Sequence, residues 1–247
     1  MKSSIISDTL IIIPAFNEAK RIARVVRSIY AVIPGIDILV IDDGSRDQTI
    51  KAATEAGAKV APLPYNMGYG VAVQTGYRYA NRLGYKYVVQ MDADGQHEPR
   101  CIPDLLTAVT QPNVDIVLGS RWLGAAEYND SRLRKFGKFY FGFLASLLTP
   151  YNVTDPTTGF QALTDSVVNF FCSDVYPSDY PDADVIIMLY RAGFRVQEQP
   201  VVMYQDDSGQ SMHSGLKPIY YGIKMMMSIL MTIMRDDNQL RKRLKHG

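Results

Sequence analysis

The chain of 247 residues contains only two cysteines, Cys101 and Cys172, which lie far apart in the sequence. A disulfide framework needs more cysteines than this, and a zinc site needs them closely spaced with further cysteine or histidine ligands. Both kinds of protein are therefore excluded, and the cysteine content fits a reducing compartment.

The chain also lacks an excess of charge of one sign. Its formal net charge is +1, so the overall charge does not indicate a nucleic-acid-binding protein, and we expect no nucleic-acid partner. Hydrophobic residues make up 47% of the sequence, which is ordinary for a globular protein with a core. Basic residues are concentrated at the C-terminus, where residues 241–247 include four lysines and arginines.

No apolar run is long enough to cross a bilayer. The longest, residues 219–234, has about sixteen residues against the roughly 20 that a spanning helix needs, and Lys224 interrupts it. Residues 10–13 are too short for the core of a secretory signal, and they end at Pro14. We therefore expect a cytoplasmic protein.

Strand-like and helix-like segments alternate in the first half of the chain. Strands are predicted at residues 10–13, 36–41, 58–61, 87–91 and 114–118, with helices between them at 18–33, 47–56, 71–82 and 99–110. This alternation predicts the α/β class, with a mostly parallel central sheet and helices on both faces. Later helices are predicted at 133–148, 184–192 and 216–235, and two short strands within 194–204, split around Pro200.

These segments predict one main domain over residues 1–215, followed by a C-terminal amphipathic helix and a basic tail over residues 216–247.

Two acidic clusters follow the second and fourth predicted strands. The first is Asp42 with Asp43, and the second is Asp92 with Asp94. Buried carboxylates repel each other and are costly to desolvate, so stability does not explain such clusters, although Asp-Gly pairs are also common in turns. An Asp-x-Asp at a strand end suits Mg²⁺ or Mn²⁺ carrying a diphosphate, because these ions prefer oxygen ligands. This pattern indicates nucleotide-linked chemistry.

Four polar or turn-forming groups follow predicted strands. They are residues 14–18, 42–45, 92–94 and 119–121. Ligands of an open parallel sheet bind outside the carboxyl ends of its strands, so we expect the four groups to lie on one rim and to form a binding site.

Six short motifs occur in a fixed order. They are Pro-Ala-Phe-Asn-Glu from residue 14, Asp-Asp-Gly-Ser from 42, Asn-x-Gly-x-Gly-x-Ala from 66, Asp-Ala-Asp-Gly-Gln from 92, Gly-Ser-Arg from 119 and Asp-Pro-Thr-Thr-Gly-Phe from 155. In combination they resemble the family-2 glycosyltransferases of the GT-A fold, in the branch of dolichol-phosphate mannose synthases and bacterial polyprenyl-phosphate sugar transferases. The resemblance implies inverting transfer of a sugar from a nucleotide-diphosphate sugar to polyprenyl phosphate, with Mg²⁺ or Mn²⁺ as cofactor.

The resemblance also assigns roles to single residues. It implies that Asp94 contacts the metal ion directly and that Asp92 lies nearer the ribose and the metal's water shell. It places Arg121 at the phosphates and Asp184 at the sugar or the acceptor, so that the catalytic set is Asp94, Arg121 and Asp184. The residues implied to bind the nucleotide sugar are Pro14, Phe16, Glu18, Asp43, Gly68, Asp92, Ala93 and Gln96.

Several of these residues also have a structural interpretation. Asn17 could cap a helix whose first turn contains Glu18, and Asp184 could cap the helix that follows it. Arg121 could pair with an aspartate of the metal cluster. His97, beside that cluster, is more typical of a packing or hydrogen-bonding residue than of a metal ligand.

One stretch departs from the family pattern. Mannose synthases carry Arg-x-x-Gly-x-Ser-Lys, whose basic residues grip phosphate, and here Asp206 and Met212 stand at the basic positions. The sugar of the donor therefore stays open. His213, Lys217 and the basic residues within 132–135 are candidates for the missing charge.

Two other function classes stay open. One is a transferase that acts on a saccharide hydroxyl in cell-surface polysaccharide synthesis, for which Asp184 would have to serve as a base. The other is a non-catalytic nucleotide-sugar-binding subunit that regulates a membrane partner.

The C-terminal segment combines apolar residues at helical spacing with flanking cations. These are the two signals that stable peripheral anchoring requires, so we expect the segment to bind the inner face of the cytoplasmic membrane. Packing on the main domain, a homodimer and a small membrane-protein partner are the alternatives.

Overall fold

The computed structural model describes residues 3–123, 142, 145–177, 183–204 and 217–234. The strands in these ranges form one sheet in the order β3-β2-β1-β4-β6-β5-β7. They are β1 (Thr9–Ala15), β2 (Asp37–Asp42), β3 (Lys59–Pro62), β4 (Tyr87–Gln90), β5 (Ile116–Ser120), β6 (Gln161–Thr164) and β7 (Val196–Pro200). The helices are α1 (Ser3–Ser7), α2 (Ile22–Val32), α3 (Thr49–Glu55), α4 (Tyr69–Leu83), α5 (Ile102–Val109), α6 (Asp165–Phe171), α7 (Ala183–Ala192) and α8 (Lys217–Met234), with a 3₁₀ turn at Pro99–Cys101.

Both faces of the sheet are covered, as predicted. Alternate side chains of β1 point to opposite faces, because a strand has a period of two. Leu10 and Ile12 join a core formed with α4, α6 and α7, whereas Ile11 and Ile13 join a second core formed with α2 and α5. Burial on both faces explains why β1 is apolar from Leu10 to Ala15 rather than alternating.

The sheet is mostly parallel, which confirms the prediction. Strand β6 is the exception, since it runs antiparallel to both of its neighbours, β4 and β5. Because β6 opposes both, β4 and β5 run in the same direction and their carboxyl ends lie at the same edge. Neither β6 nor α6 was predicted, and β6 has only four residues, too few for a clear alternating pattern.

The prediction that β1 ends before Pro14 is wrong, since the strand continues to Ala15 and Pro14 is buried within it. The Ile12 carbonyl accepts a hydrogen bond from the Met91 amide. The even-numbered residues of β1 therefore direct their backbone N–H and C=O groups toward β4. Pairing with β4 stops at Ile12 and Gln90. Pro14, which has no N–H, therefore lies where no donor toward β4 is needed.

The predicted helix cap at Asn17 is also wrong, because α2 begins only at Ile22. Asn17 has a positive φ of 57°. Its amide donates to Ser45 Oγ at 2.8 Å, and its Oδ1 accepts from the Arg46 amide at 2.8 Å. Asn17 thus joins the loop after β1 to the loop after β2.

The remaining C-terminal predictions have mixed outcomes. The final helix is confirmed as α8. Of the two strands expected around Pro200, only β7 forms, and beyond it Met203 makes a single bridge with His97. The helix predicted at 133–148 lies mostly outside the described residues.

Helix α8 packs against α7. Ile229 is 2% exposed and belongs to the core that contains α7, and the Arg191 guanidinium donates to the Thr232 carbonyl. Its other side presents exposed apolar residues, namely Met226, Met227, Leu230, Met231, Ile233 and Met234. Among the described residues, none of the helices has the length and hydropathy of a membrane span.

We predict that Gly44→Ala lowers the free energy of unfolding more than Gly35→Ala does. Both glycines have positive φ, 68° and 82°, so each variant incurs the same left-handed strain of about 1–2 kcal/mol. A Cβ at Gly44 would lie 2.4 Å from the Tyr65 carbonyl carbon, whereas no described atom lies within 4 Å of one at Gly35. Urea unfolding measures both, and equal losses would contradict a close approach of the loops after β2 and β3.

Candidate functional site

The four groups that follow β1, β2, β4 and β5 lie on one rim of the sheet. Strands β1, β2 and β4 are direct neighbours and parallel, and β5 runs in the same direction. The loops are also tied together, because the Asp43 amide donates to the Ala15 carbonyl and the Leu63 amide to the Asp42 carbonyl. The topology thus produces the convergence that the motif positions predict.

Asp92 is held from several sides. Its Oδ1 accepts from the Tyr69 hydroxyl at 2.8 Å, and its own amide donates to His97 Nδ1 at 3.1 Å. Gly159 passes so close that a Cβ there would lie 2.7 Å from Asp92 Oδ2. The close approach requires a glycine at this point of the loop before β6.

Asp94 lies beside Asp92, and its Oδ1 accepts from the Gln96 amide at 2.9 Å. Burial raises the pKa of both carboxyl groups, and the charge of Asp92 raises the pKa of Asp94 further. A cation would relieve this cost, and carboxylate oxygens are the donors that Mg²⁺ and Mn²⁺ prefer. The pair therefore fits a hard divalent ion. Among the described residues, no group of three histidines, cysteines or carboxylates completes such a site from protein alone.

His97 is a packing and hydrogen-bonding residue, as its structural interpretation predicted. Its ring stacks on Phe160 with centroids 4.8 Å apart and planes 8° apart, and it is 5% exposed. Nδ1 is occupied by the Asp92 amide. Burial lowers the pKa of His97 to about 4, so the ring is neutral near pH 7.

Arg121 pairs with Asp155 rather than with an aspartate of the metal cluster. Its Nε donates to Asp155 Oδ2 at 2.6 Å, and the two side chains are 9% and 0% exposed. The positive charge of Arg121 also lowers the pKa of Asp92, although less than burial raises it. Arg121 is therefore fixed near the acidic pair, and its contact with phosphate stays a prediction.

Glu198, on β7, holds the loop that carries Asp155, and the motifs did not indicate it. It accepts from the Asp155 amide at 3.0 Å, from the Thr154 amide at 2.9 Å, and from the Thr154 hydroxyl at 2.7 Å. Burial raises the pKa of Glu198. A glutamate within a short predicted strand was the available signal, because a charge there needs partners.

Asp43 holds the entry to α4. Its two oxygens accept from the Met67 amide at 2.7 Å and from the Gly68 amide at 3.0 Å, and it is 4% exposed. Gly68 has a φ of 101°, which only glycine adopts readily. Asp43 thus has a structural role, and the nucleobase contact expected of it stays a prediction.

The other residues expected to bind the nucleotide sugar differ in exposure. Phe16 is 42% exposed at the end of β1, whereas Ala93 is 3% exposed. Glu18 forms an ion pair with Arg21, with Oε2 2.6 Å from Nε. Gln96 is half-buried, and its backbone carbonyl accepts a hydrogen bond from the Tyr204 amide at 2.7 Å. These residues and the buried Pro14 lie on the rim, and their ligand contacts stay predictions.

Asp184 lies in the first turn of α7, next to α8. Its Oδ1 accepts from the Val185 amide at 2.9 Å, and its Oδ2 accepts from the Ser228 hydroxyl of α8. The carboxylate is 2% exposed. Asp184 therefore links α7 to α8, a contact between distant segments that no sequence motif indicated.

Comparison with known proteins gives a consistent result. A family model described as Glycosyl transferase family 2 matches residues 10–170. The undecaprenyl-phosphate mannosyltransferase of Micrococcus luteus is 31% identical over 83% of this chain and 87% of that protein. The UDP-N-acetylglucosamine–dolichyl-phosphate N-acetylglucosaminyltransferase of Methanococcus voltae is 29% identical over 87% of this chain and 94% of that protein.

Among solved structures, the fold matches glucosyl-3-phosphoglycerate synthase from Mycobacterium tuberculosis, crystallised with Mn²⁺, UDP and glucosyl-3-phosphoglycerate. The TM-score is 0.66 at 20% identity, covering 92% of this chain and 82% of the other. This likeness confirms the predicted GT-A fold.

We predict that His97 stays neutral, with its proton on Nε2, down to about pH 5. Its pKa of about 4 lies below the ordinary value near 6.5 because burial disfavours the charged ring. The chain has three histidines, so ¹⁵N-resolved NMR can follow each, with His97→Gln identifying the signal. Titration of this signal near pH 6.5 would contradict the buried placement.

Proposed function

The chain belongs to glycosyl transferase family 2 and is a glycosyltransferase, and we propose that it moves a sugar from a nucleotide-diphosphate sugar to a polyprenyl phosphate, inverting the anomeric centre. The observation that carries the proposal is the pair Asp92 and Asp94, which lie half-buried together at the carboxyl end of β4 and have raised pKa values. Two adjacent carboxylates of this kind suit a cation-bound diphosphate. The two relatives described above are named for transfer to a polyprenyl or dolichyl phosphate, which supports the acceptor.

In this proposal Asp94 and Asp92 hold Mg²⁺ or Mn²⁺. With the ion bound at these residues, the charge of the diphosphate would be neutralised and the nucleoside diphosphate would be a better leaving group. The presence of Mn²⁺ with UDP in the structural relative supports this choice of ion. Substrate oxygens would complete the coordination, because Asp92 Oδ1 is already engaged by Tyr69.

The nucleoside side of the site is formed by the loops after β1, β2 and β3. Exposed Phe16 offers a ring face, and Gly68 allows close backbone approach at the start of α4. Four further residues line or support this side of the site, namely Pro14, Glu18, Asp43 and Ala93. Gln96 and Arg121 act at the phosphates, where the planar guanidinium, oriented by Asp155, suits phosphate oxygens.

The hydrogen bonds of Asp184 favour a lipid phosphate over a saccharide hydroxyl as the acceptor. A hydroxyl acceptor needs a base, and both Asp184 oxygens are already engaged, by the Val185 amide and by Ser228. A phosphate acceptor is ionised near neutral pH and needs no strong base. In this proposal Asp184 acts indirectly, by holding α8 against α7 through Ser228.

We also propose that α8 binds the cytoplasmic face of the membrane through its outer side. Ile229 and Thr232 face α7, whereas Met227, Met231 and Met234 are 61%, 61% and 78% exposed. An exposed apolar helix face together with a basic segment at 241–247 combines the two signals for peripheral binding. In this arrangement residues 1–215 form the transferase domain and residues 216–247 its membrane-binding extension.

We predict that binding of the nucleotide depends on metal and on Asp94. Calorimetry with UDP and GDP in the presence of Mn²⁺ should identify the preferred base. EDTA, which removes the ion, and Asp94→Ala, which removes a direct ligand of the ion, should each weaken nucleotide binding by on the order of tenfold or more. Asp104→Ala, which removes an exposed carboxylate on α5, is the matched control. Unchanged affinity with EDTA or in Asp94→Ala would contradict the metal role.

We predict that the protein floats with anionic vesicles at low salt and is released by high salt. The double variant Met227→Ser, Met231→Ser should weaken binding, since burying each side chain contributes about 1.5–3 kcal/mol. The control Ile50→Ser, Leu83→Ser alters residues that are 41% and 56% exposed but lie on α3 and α4. An intact protein that does not float, or equal effects of both pairs, would rule out this use of α8.

A further inference from the structure

A hydrogen-bonded chain of side chains runs beneath the rim and ends at Asp92. The Tyr77 hydroxyl donates to Gln90 Oε1 at 2.5 Å, and Gln90 Nε2 donates to the Tyr69 oxygen at 2.9 Å. The Tyr69 hydroxyl then donates to Asp92 Oδ1 at 2.8 Å. The chain thus connects the core side of α4 and β4 to the acidic pair.

The donors of this chain all point toward Asp92. A tyrosine has one hydroxyl proton, so when Tyr69 donates it to Asp92, its oxygen can only accept from Gln90. The Gln90 amide is oriented in turn by Tyr77, which occupies Oε1. Because every hydrogen bond in this series runs in the same direction, its last member needs only to accept. An ionised carboxylate, which has no proton to donate, is such a group. Successive bonds of this kind strengthen one another.

The inner end of the chain is fixed by packing. Tyr77 is fully buried, and its ring lies against Phe171 and Tyr176, with centroids 5.3 and 5.6 Å away. Gln90 is 2% exposed, so a broken bond would leave a buried amide without water to replace its partner. The inner end of this series of hydrogen bonds is therefore fixed in the core, and its side chains cannot readily adopt other positions.

At the outer end, the chain leaves the two Asp92 oxygens in different situations. Oδ1 is engaged by Tyr69, whereas Oδ2 lies 3.7 Å from His97 Nε2, a separation beyond hydrogen-bond range. The Asp92 amide is fixed by His97 Nδ1. With the backbone and one oxygen both restrained, the other oxygen has a defined direction.

Building on the proposed function, we propose that Tyr69, Gln90 and Tyr77 are positioning residues that reserve Asp92 Oδ1 for the protein and leave Oδ2 directed at the metal ion that would carry the diphosphate. The chain holds Asp92 in place before the ion arrives, so binding need not order the carboxylate. Pre-organisation by a second layer of hydrogen bonds of this kind raises metal affinity.

The test is a titration of Mn²⁺ followed by the electron paramagnetic resonance signal of the free ion, with UDP and in parallel with GDP. Tyr69→Phe should weaken Mn²⁺ binding by about 10- to 100-fold. Tyr77→Phe, which breaks the chain two links further in, should give a smaller loss. Tyr85→Phe is the matched control, because the Tyr85 hydroxyl also donates to a carboxylate at 2.8 Å, that of Asp37, away from the rim.

A double-mutant cycle of Tyr69→Phe and Asp92→Ala in urea, without metal, measures the hydrogen bond by itself, because alanine leaves no acceptor for the Tyr69 hydroxyl. Coupling in the cycle together with weakened Mn²⁺ binding supports the inference. Coupling with unchanged Mn²⁺ binding overturns it, because the bond would then be structural only, and absence of coupling overturns it as well. If the wild-type protein binds no Mn²⁺ with either nucleotide, the proposed function fails, and the inference that rests on it fails for that separate reason.

Discussion

Two half-buried carboxylates, Asp92 and Asp94, lie side by side at the end of β4 and set the requirements that the surrounding structure meets. Burial raises the pKa of Asp92 and Asp94, and their proximity adds to the cost of keeping both ionised. The protein compensates in part, through the Tyr69 hydroxyl on Asp92 and the Gln96 amide on Asp94. The remaining cost is what a divalent cation with a diphosphate would relieve.

The need to balance the charges of Asp92 and Asp94 also involves strands β5 and β7. Arg121 supplies a buried positive charge near Asp92, and it is itself fixed by Asp155. The backbone of Asp155 is held in turn by Glu198, on the edge strand β7. Arg121, Asp155 and Glu198 are thus held together across different strands and loops, and the loop before the antiparallel β6 places Gly159 beside Asp92 and Phe160 against His97. The order of the strands is therefore part of the site.

The sequence alone predicts the sheet and the rim well, because apolar runs followed by polar turns mark β1, β2, β4 and β5. The sequence does not predict features that depend on contacts between residues far apart in the chain. Strand β6 is defined by its two neighbours, and Asn17 joins two loops instead of capping a helix. The chain from Tyr77 to Asp92 and the pairing of Asp184 with Ser228 join residues that share no motif spacing. A resemblance of motifs identifies which residues converge, whereas their partners follow only from the tertiary structure.

The central claim is metal-dependent transfer of a sugar to a lipid phosphate. The most direct measurement incubates the purified protein with undecaprenyl phosphate in detergent, Mn²⁺ and labelled UDP- or GDP-sugars, and determines the anomeric configuration of the lipid product by NMR. The account predicts a phosphate-linked sugar of inverted configuration that forms with one class of donor and is lost with EDTA. Failure to transfer from any donor, retention of configuration, or full transfer in the presence of EDTA would contradict it.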